Sequence, residues 1–565
     1  MHRPLLKFLL IMASLGVDSR MYIDRISKLD SPLKVIAYCL IYLGFAAALI
    51  CAANIRKGAL RWTFAALLAG AAILTTAYRH TTEEELGYFN FVTLLDSRSA
   101  MMDVLATFPV PLLIASGAAL LLFIGLELAP KPRPLVSQWF AIGVPITSLI
   151  ALTGLLSIRG GEGAGGLPPS WPSLAYTPIY AAAVFAGSAG ERKPVSIARD
   201  GLAPAHDIVV IVDESVSGNY LDINMKEGVR SGLANPPERV AAYNFGMAAA
   251  IANCSINSNV TLRFGGTRSD YRRIIATEPS IWSYAKTAGM RTISLYAQRK
   301  GMSENYMSDD ERKDIDQQIW FEEFPDIDRD MAVAKEIAGF LNNDRAEFIY
   351  VNKLGAHFPV HASYPESFAR YGPVLPRETR LAESATGDIK HEQIIGRAGD
   401  WVAYRNAYRN TLTWKVGAFF DALFAQAKIN GATIIYTSDH GQTLHERGNP
   451  GLTTHCQSKP EIEEGVVPLV LITGKRDIGP DWKNAAARGF NKMSGFRIFP
   501  TLLTLMGYKK EAVFSAYGPS LESNAPDPFT FGVQMSIKPG MNPRWIHIPI
   551  DQIVSPPVSD IKTRQ

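Results

Sequence analysis

Four nearly uninterrupted apolar segments constrain this 565-residue chain more than any other feature. They are residues 34–55, 62–78, 104–128 and 135–158. Each is close to the roughly 20 residues that an α-helix needs to cross the hydrocarbon core of a bilayer. Buried helices of a soluble core are the alternative, but four such runs so close together favour membrane spans. A weaker apolar run, residues 4–17, predicts a fifth span.

The short loops between these segments predict the orientation. Loops 56–61 and 130–134 carry Lys and Arg, and basic loops stay in the cytoplasm. No small-residue cleavage site follows residues 4–17, so we interpret this run as a span and not as a cleaved signal. With five spans, Met1 is cytoplasmic, and the chain after residue 158 lies on the outer side of the membrane. The sequence thus predicts a transmembrane domain over residues 1–158.

A linker and a separate soluble domain are predicted to follow. Residues 159–172 are rich in Gly and Pro, which is typical of a connecting segment. Residues 174–187 are apolar but too short to span, so they predict either an interfacial helix or a packed linker helix. We therefore expect a linker over 159–205 and a separate soluble domain over 206–565.

Charge and cysteine content limit the function. The formal net charge is only +4, and no run of Lys and Arg supports binding to nucleic acid. Cys39 and Cys51 fall in a predicted span, whereas Cys254 and Cys456 fall in the soluble part. Two cysteines cannot form a disulfide scaffold, although they could form one bridge on the outer side of the membrane.

The soluble part alternates between strand and helix patterns. Five β-branched runs predict strands: 207–215, 292–297, 348–353, 433–439 and 468–474. Helical patterns lie among them at 280–289, 330–343 and 401–427. The strand runs lack period-two alternation, as central strands do when both faces of the sheet are covered. We therefore predict an α/β domain with a mostly parallel central sheet and helices on both faces.

Acidic residues and histidines follow several of these predicted strands. Ligands of such sheets bind at the carboxyl ends of the strands, so these side chains are expected to converge. A single carboxylate there is usually a cap, and a lone His is usually structural; only the convergence favours a site. The converging set suits zinc or a manganese-like ion but not calcium. Its members are Glu214, Asp439, His440, His357 and His455.

Residues 248–266 offer two candidate nucleophiles ahead of a predicted helix. Backbone N–H groups and the helix dipole would favour an oxyanion at Ser255 or Ser258. Ser is also a common helix cap, and the residues alone favour that structural role.

Several motifs, taken in their order, resemble the alkaline phosphatase superfamily, in its branch of membrane-anchored sulfatase-like enzymes. They are "VVIVDES", "NCSINSN", "NKLGAHFPVHASYPESF", "YTSDHGQTLHERG" and "FRIFPTLLTLMG". Within that branch the chain is most similar to the phosphoethanolamine transferases that modify lipid A or other envelope glycans. The resemblance covers nearly the whole soluble domain and implies an enzyme with an alkaline-phosphatase-like α/β fold.

By position, the resemblance implies a role for each candidate residue. The Zn²⁺ ligands would be Glu214, Asp439, His440 and the nucleophile Ser255. The other catalytic residues would be His357 and His455, which help to hold the substrate phosphate or a second zinc ion. Substrate-binding positions fall on Asn352 and Lys300.

The chain departs from the family pattern at several of these positions. Ser replaces the usual Thr nucleophile, and the spacing after Cys254 is one residue shorter, so Ser258 stays an alternative. Asn352 falls where the transferases often carry a His. One zinc ion is therefore expected, a second is in doubt, and Mn²⁺ is an alternative. Cys254 and Cys456 each adjoin a site residue, so a bridge across the site is conceivable.

The implied reaction moves a phospholipid headgroup, phosphoethanolamine first, through a phospho-serine intermediate. The donor would be phosphatidylethanolamine and the acceptor lipid A or another glycan. A monomer would act from the bacterial inner membrane, with its catalytic domain in the periplasm. The alternatives are a phosphoglycerol transferase, a membrane-anchored phosphodiesterase or sulfatase-like hydrolase, and an inactive sulfatase-like module. Formylglycine sulfatases need C/S-x-P-x-R, and "CSINSN" lacks its Pro and Arg.

Overall fold

A computed structural model describes most of the chain, in two compact units. The first is built mainly on Met1–Ser188 and the second mainly on the residues that follow. The described residues are 3–82, 85–96, 109–130, 136–186, 192–200, 204, 206–298, 307–357, 360–377, 399–448, 454–475, 480–536, 543–557 and 562–563.

Four helices of the first unit are long and apolar enough to cross a membrane. They are Pro32–Ala52, Gly58–Thr82, Pro109–Glu127 and Gln138–Ile158. Each falls on one of the four strongly apolar segments of the sequence. Shorter helices complete the described part of this unit: Arg3–Gly16, Ser19–Ser27, Tyr88–Asp96 and Ser170–Ala186.

The weaker fifth span corresponds to the helix Arg3–Gly16, which has 14 residues. This helix packs antiparallel to Pro109–Glu127, because Lys7 Nζ donates to Leu126 O (3.3 Å) and Ser14 Oγ donates to Ala118 O (2.7 Å). Arg61 Nε also donates to Glu127 O (2.9 Å), so two cations meet the negative end of one helix dipole. The helix therefore begins at the same end of the unit as loop 56–61. The cytoplasmic location of that end stays a prediction.

Part of the predicted linker over residues 159–205 packs on the first unit, and its boundaries stay a prediction. Its glycines fold tightly onto the first unit: Gly161 has φ +87°, and a Cβ there would lie 2.5 Å from Tyr88 Cβ. Trp171 is buried, and the helix that contains it packs on Gly58–Thr82. Residues 192–200 belong to the second unit, where Arg192 Nη1 donates to Ile275 O (2.7 Å). At Gly161 the absence of a side chain therefore permits close approach of the backbone to Tyr88.

A seven-stranded sheet organises the second unit, with strand order β2-β8-β7-β1-β5-β3-β4. The strands are β1 (Asp207–Asp213), β2 (Val240–Ala249), β3 (Arg291–Tyr296), β4 (Gln317–Trp320), β5 (Glu347–Asn352), β6 (Tyr371–Gly372), β7 (Ala432–Ser438), β8 (Val466–Gly474), β9 (Thr530–Val533), β10 (Arg544–His547) and β11 (Lys562–Thr563). The five adjacent strands from β7 to β4 are parallel, β8 runs antiparallel to β7, and β2 runs antiparallel to β8. All five predicted strands are present. The sequence pattern did not predict β2 or β4, because small or polar residues interrupt the apolar residues of both strands.

Helices cover both faces of this sheet. Alternate residues of β1 enter opposite cores: Val209 packs with Val333 and Phe420 on one face, and Val210 packs with Trp282 on the other. The helices are Ser255–Phe264, Tyr271–Thr277, Ile281–Thr287, Asp309–Lys313, Arg329–Leu341, Gly399–Leu412, Phe419–Gln426, Trp482–Gly489, Ile498–Leu505 and Lys510–Tyr517, with a π-helical turn at Thr413–Ala418. This architecture confirms the predicted fold class.

Candidate functional site

Strand pairing brings the predicted site residues together. The central strand β1 lies between β5 and β7, and its last residues pair with the last residues of both. Glu214 follows β1 directly, and Asp439 and His440 follow β7. Asp439 N donates to Asp213 O (3.0 Å), so the two strand ends stay in register beyond the sheet. Side chains more than 220 positions apart in sequence are therefore neighbours at one sheet edge.

Glu214, Asp439 and His440 form a candidate metal centre. All three are buried, and one ligand atom of each lies within 4.8 Å of the others. His440 Nε2 is 3.4 Å from Glu214 Oε1 and 3.8 Å from Asp439 Oδ2. His440 Nδ1 is 2.8 Å from Gly441 O, which can only accept, so Nδ1 donates to it, and Nε2 faces the carboxylates and would offer its lone pair to a bound metal. Two carboxylates and one imidazole with this orientation fit the donor set of a catalytic zinc site.

The electrostatics of the cluster favour a bound cation. Burial and the charge of Glu214 raise the pKa of Asp439 to about 7. Burial opposes ionisation of Glu214 as well, but the hydrogen bond and charge of His440 hold the pKa of Glu214 well below its usual range. Burial would lower the pKa of His440, yet the charges of Asp439 and Glu214 raise it to about 9. Without a metal, the cluster therefore retains protons that a divalent ion would displace.

Of the two candidate nucleophiles, only Ser255 contacts this cluster in the described residues. Its Oγ donates to Glu214 Oε1 (3.0 Å) and lies 3.0 Å from His440 Nε2. Ser255 is the first residue of the helix Ser255–Phe264, where N–H groups favour negative charge. Ser258 Oγ instead accepts from Ala252 N (3.1 Å) and donates to Ala252 O (3.2 Å), and it is buried. Ser258 therefore closes the turn before the helix.

Two further histidines lie at the same edge. The ring of His455 stacks on that of His440, with centroids 4.3 Å apart and an interplanar angle of 18°. Burial, followed by the charge of His440, lowers the pKa of His455 well below its usual value, so this ring stays neutral. His357 is half-buried after β5 and interacts electrostatically with Glu214 and with His455. Both histidines predicted from the sequence therefore reach the site.

The structure describes only one of the two predicted substrate-binding residues, Asn352. Asn352, at the end of β5, is buried and donates from Nδ2 to Asn259 Oδ1 (2.7 Å). Asn259 in turn donates to Ser255 O (3.0 Å) and lies 3.5 Å from Asp439 Oδ2. In the structure Asn352 therefore supports the helix Ser255–Phe264 through Asn259. Lys300 lies outside the described residues.

Sequence reasoning missed one residue of the site, Gln298. Its Nε2 donates to Glu214 Oε2 (2.8 Å), which leaves Oε1 to face Ser255 and His440. A polar residue directly after a predicted strand was the available signal. An amide in this position fixes the carboxylate and orients its other oxygen.

A disulfide joins the segment that carries Ser255 to the segment that carries His455. Cys254 precedes Ser255, Cys456 follows His455, and the two cysteines are bonded. Cys456 N also donates to Asn253 O (2.9 Å). The bridge that the sequence left open is thus present, and it ties together two segments that carry side chains of the site.

We expect loss of this bridge to destabilise the protein. The cysteines are 202 positions apart, so the bridge restricts a long loop of the unfolded chain, and a native disulfide of this kind contributes about 2 to 5 kcal/mol. The Cys254→Ser/Cys456→Ser variant should therefore unfold at a lower temperature than the parent protein. Cys39→Ser, at a free cysteine of the first unit, is the control. Equal unfolding temperatures for parent and double variant would contradict the expectation.

A buried carboxyl, Glu464, makes the stability of the site depend on pH. It accepts from Asn253 Nδ2 (2.8 Å) and from Gln457 N (3.2 Å). Burial raises the pKa of Glu464 to about 8, although these hydrogen bonds oppose the rise. The folded state therefore holds a proton that the unfolded state releases from about pH 4.5 upward. Between about pH 4.5 and about pH 8, the free energy of unfolding therefore falls as the pH rises, by up to about 1.4 kcal/mol per pH unit.

The Glu464→Gln variant should remove this dependence. We expect it to be more stable than the parent at pH 9, with a difference that shrinks towards pH 5, because glutamine resembles the protonated acid. Thermal unfolding of the full chain across this pH range measures the difference. The same substitution at the exposed Glu511 is the control. A constant offset between parent and Glu464→Gln at every pH would refute the assignment.

Comparison with known proteins agrees with this geometry. A family model of the sulfatases matches residues 247–508, a range that contains Ser255, His357, Asp439, His440 and His455. A sequence search found no curated protein that matches the chain.

Among solved structures, the chain is similar to the integral membrane protein lipooligosaccharide phosphoethanolamine transferase A from Neisseria meningitidis. The two share 14% identity at TM-score 0.64, over 90% of this chain and 97% of the other. The C-terminal periplasmic domain of EcEptC from Escherichia coli, in complex with Zn, also matches. It shows 14% identity at TM-score 0.46, over 61% of this chain and 94% of the other.

The full-length match and the apolar helices indicate a membrane-anchored protein with a soluble C-terminal unit. The family match and the fold confirm the resemblance predicted from the sequence motifs. Residues 247–508 thus match the sulfatase family model, and the chain has the same fold as the N. meningitidis membrane protein.

Proposed function

We propose that the chain transfers a phospho-alcohol headgroup from a phospholipid to lipid A or another envelope glycan. Phosphoethanolamine is the headgroup we favour, because the N. meningitidis transferase with the same fold carries that activity in its name. One observation supports the proposal most: Ser255 Oγ lies 3.0 Å from both Glu214 Oε1 and His440 Nε2. A candidate nucleophile in contact with two of three candidate metal ligands suits metal-assisted phosphoryl transfer.

Glu214, Asp439 and His440 would bind one Zn²⁺, with Ser255 Oγ as a fourth ligand. Mn²⁺ is the alternative for the same donors. Bound zinc lowers the pKa of a coordinated hydroxyl and stabilises charge on a phosphoryl oxygen. The protein would orient this centre through Gln298, which fixes Glu214, and through Gly441 O, which fixes the tautomer of His440.

The reaction would proceed in two displacements at phosphorus. Ser255 Oγ forms a bond to the phosphorus of the lipid headgroup, the bond to the diacylglycerol oxygen breaks, and that oxygen takes up a proton. An acceptor hydroxyl or phosphate then attacks the phospho-serine and regenerates Ser255. His455, which stacks on His440, and His357 lie at the same sheet edge and would relay these protons or hold the phosphoryl oxygens. We propose a substrate-binding role for Lys300 and a supporting role for Asn352.

The membrane unit suits substrates that stay in a bilayer. A lipid donor and a lipid acceptor both diffuse in the plane of the membrane, so an anchored enzyme meets both. We propose the bacterial inner membrane, with the catalytic unit in the periplasm and the protein acting as a monomer. The Cys254–Cys456 disulfide supports this location, because structural disulfides persist in oxidising compartments.

Incubation of the zinc-loaded full chain with fluorescent phosphatidylethanolamine and lipid A tests the proposal. We expect diacylglycerol and a lipid A product heavier by one phosphoethanolamine. A parallel reaction with phosphatidylglycerol tests the phosphoglycerol alternative. Release of free phosphoethanolamine in place of a modified acceptor would indicate a phosphodiesterase. No turnover of either lipid would refute both transferase assignments.

A further inference from the structure

Four charged side chains without solvent exposure lie beneath the ends of β1 and β5. They are Asp213, Asp330, Lys353 and Lys415, here called the buried charge cluster, and each side chain is 0% exposed. Lys353 Nζ lies 2.7 Å from Asp213 Oδ2, and Lys415 Nζ lies 3.7 Å from Asp330 Oδ2. Their formal charges cancel. Desolvation makes such pairs costly, so their presence points to a role other than stability alone.

Asp330 holds the turn that carries His357. Its Oδ1 accepts from Leu354 N (2.8 Å) and its Oδ2 accepts from Gly355 N (2.9 Å). These two N–H groups lie just after β5, where no neighbouring strand can accept from them. One carboxylate therefore fixes both, and the turn leads directly to His357, because His357 N donates to Leu354 O (3.2 Å).

The same turn packs tightly against the metal-ligand segment. Gly355 has φ +55°, and a Cβ there would lie 2.5 Å from Asp213 Oδ1 and 2.6 Å from Glu214 O. Ala356 N donates to Glu214 O (2.9 Å). The turn is thus held by Asp330 on one side and by Glu214 on the other, so a shift of the turn would change the distance between His357 and the candidate metal centre.

The lysines connect this turn to a π-helical segment. Lys353 Nζ donates to Lys415 O (2.6 Å) as well as to Asp213 Oδ2, and it lies 4.1 Å from the ring centroid of Phe419. Lys415 lies in the π-helical turn Thr413–Ala418, and its Nζ donates to Asp326 O (2.6 Å). π-helical turns are rare and concentrate near functional sites. The π-helical turn directs the side chain of Lys415 to Asp330 and the carbonyl oxygen of Lys415 to Lys353.

We propose that the buried charge cluster positions His357 for the transfer reaction without touching substrate. This inference rests on the proposed function, in which His357 holds a phosphoryl oxygen. Asp330 fixes the turn, Lys415 neutralises Asp330, and the Lys353–Asp213 pair locks the turn to β1. Apolar residues of similar size would fill the same space, but they would leave the N–H groups of Leu354 and Gly355 without an acceptor.

The test is Asp330→Asn in the full chain, with Asp527→Asn as the matched control. Asp527 is also buried, pairs with Arg497 and accepts a backbone N–H from Phe529, but it does not bond to the turn. Hydrogen exchange of the peptide that contains residues 354–357 reports on the turn. Steady-state transfer from phosphatidylethanolamine to lipid A, with zinc content per chain, reports on the reaction.

In Asp330→Asn we expect exchange at Leu354 and Gly355 to accelerate at least about tenfold. We expect kcat to fall at least about tenfold because small displacements of a catalytic group are costly, with KM and zinc content within about twofold of the parent. Asp527→Asn should change neither exchange at the turn nor kcat. If Asp330→Asn does not fold, Asp330→Asn/Lys415→Met leaves no unpaired charge and is expected to show the same two effects.

Unchanged exchange at the turn would overturn the inference, because the cluster would not hold the turn. Faster exchange with unchanged kcat would overturn its role in the reaction. Failure of the proposed function has a different signature, since the parent protein itself would then not turn over the lipid. In that case the exchange measurement still decides whether Asp330 holds the turn.

Discussion

Ser255→Ala is expected to abolish headgroup transfer. The substitution removes the only side-chain oxygen in the described residues that lies within 3.0 Å of both Glu214 Oε1 and His440 Nε2. Loss of a nucleophile in a covalent mechanism lowers kcat by roughly 10⁴-fold or more. Release of diacylglycerol from fluorescent phosphatidylethanolamine, measured with parent and variant at equal zinc content, gives the ratio directly.

Ser258→Ala is the matched control, three positions along the same helix. Ser258 Oγ bonds only to the backbone of Ala252 among the contacts described, so its loss should cost about 1 kcal/mol of stability and leave kcat near the parent value. Loss of transfer in Ser258→Ala together with retention in Ser255→Ala would reverse the assignment and make Ser258 the nucleophile.

Glu214→Gln is expected to remove both metal and activity. Glu214 is a member of the candidate metal centre, and its Oε1 also accepts from Ser255 Oγ. Glutamine keeps the shape of the side chain but loses the negative charge that balances a divalent cation. We expect zinc per chain to fall from about one to near zero and turnover to fall at least about 10³-fold.

Metal analysis of the purified full chain, before and after a chelator, measures this effect. Chelated parent protein should lose turnover and regain it when Zn²⁺ is added back, whereas Glu214→Gln should not regain it. Glu463→Gln is the control, because Glu463 is buried and pairs with Arg447 but is not a member of the candidate metal centre. Full turnover of the metal-free parent would contradict a metal-dependent reaction.

The candidate metal centre could be predicted from sequence because its signals are local. Each strand that positions it contains an apolar run, and Glu214, Asp439 and His440 lie within a few residues of the ends of two of those runs. Parallel strands place such residues at one edge whatever the loops between them do. The five predicted strands and the membrane segments followed from the same kind of local pattern.

Other parts of the site depend on contacts that no local pattern encodes. Asn352 pairs with Asn259, 93 positions away, and Gln298 reaches Glu214 across 84 positions. Lys353 follows an apolar strand as an ordinary solvated lysine would, yet its partner Asp213 makes it a buried charge. The packing of the predicted linker depends on distant contacts too, since Gly161 lies against Tyr88 and Trp171 against Phe45.

The central claim is that Ser255 Oγ forms a covalent bond to the phosphorus of a lipid headgroup. Intact-mass spectrometry of the zinc-loaded full chain, incubated with phosphatidylethanolamine in the absence of acceptor, tests it most directly. We predict a mass increase of one phosphoethanolamine on the parent protein and on Ser258→Ala, and none on Ser255→Ala. Turnover of the lipid without any adduct, or an adduct that persists on Ser255→Ala, would contradict the account.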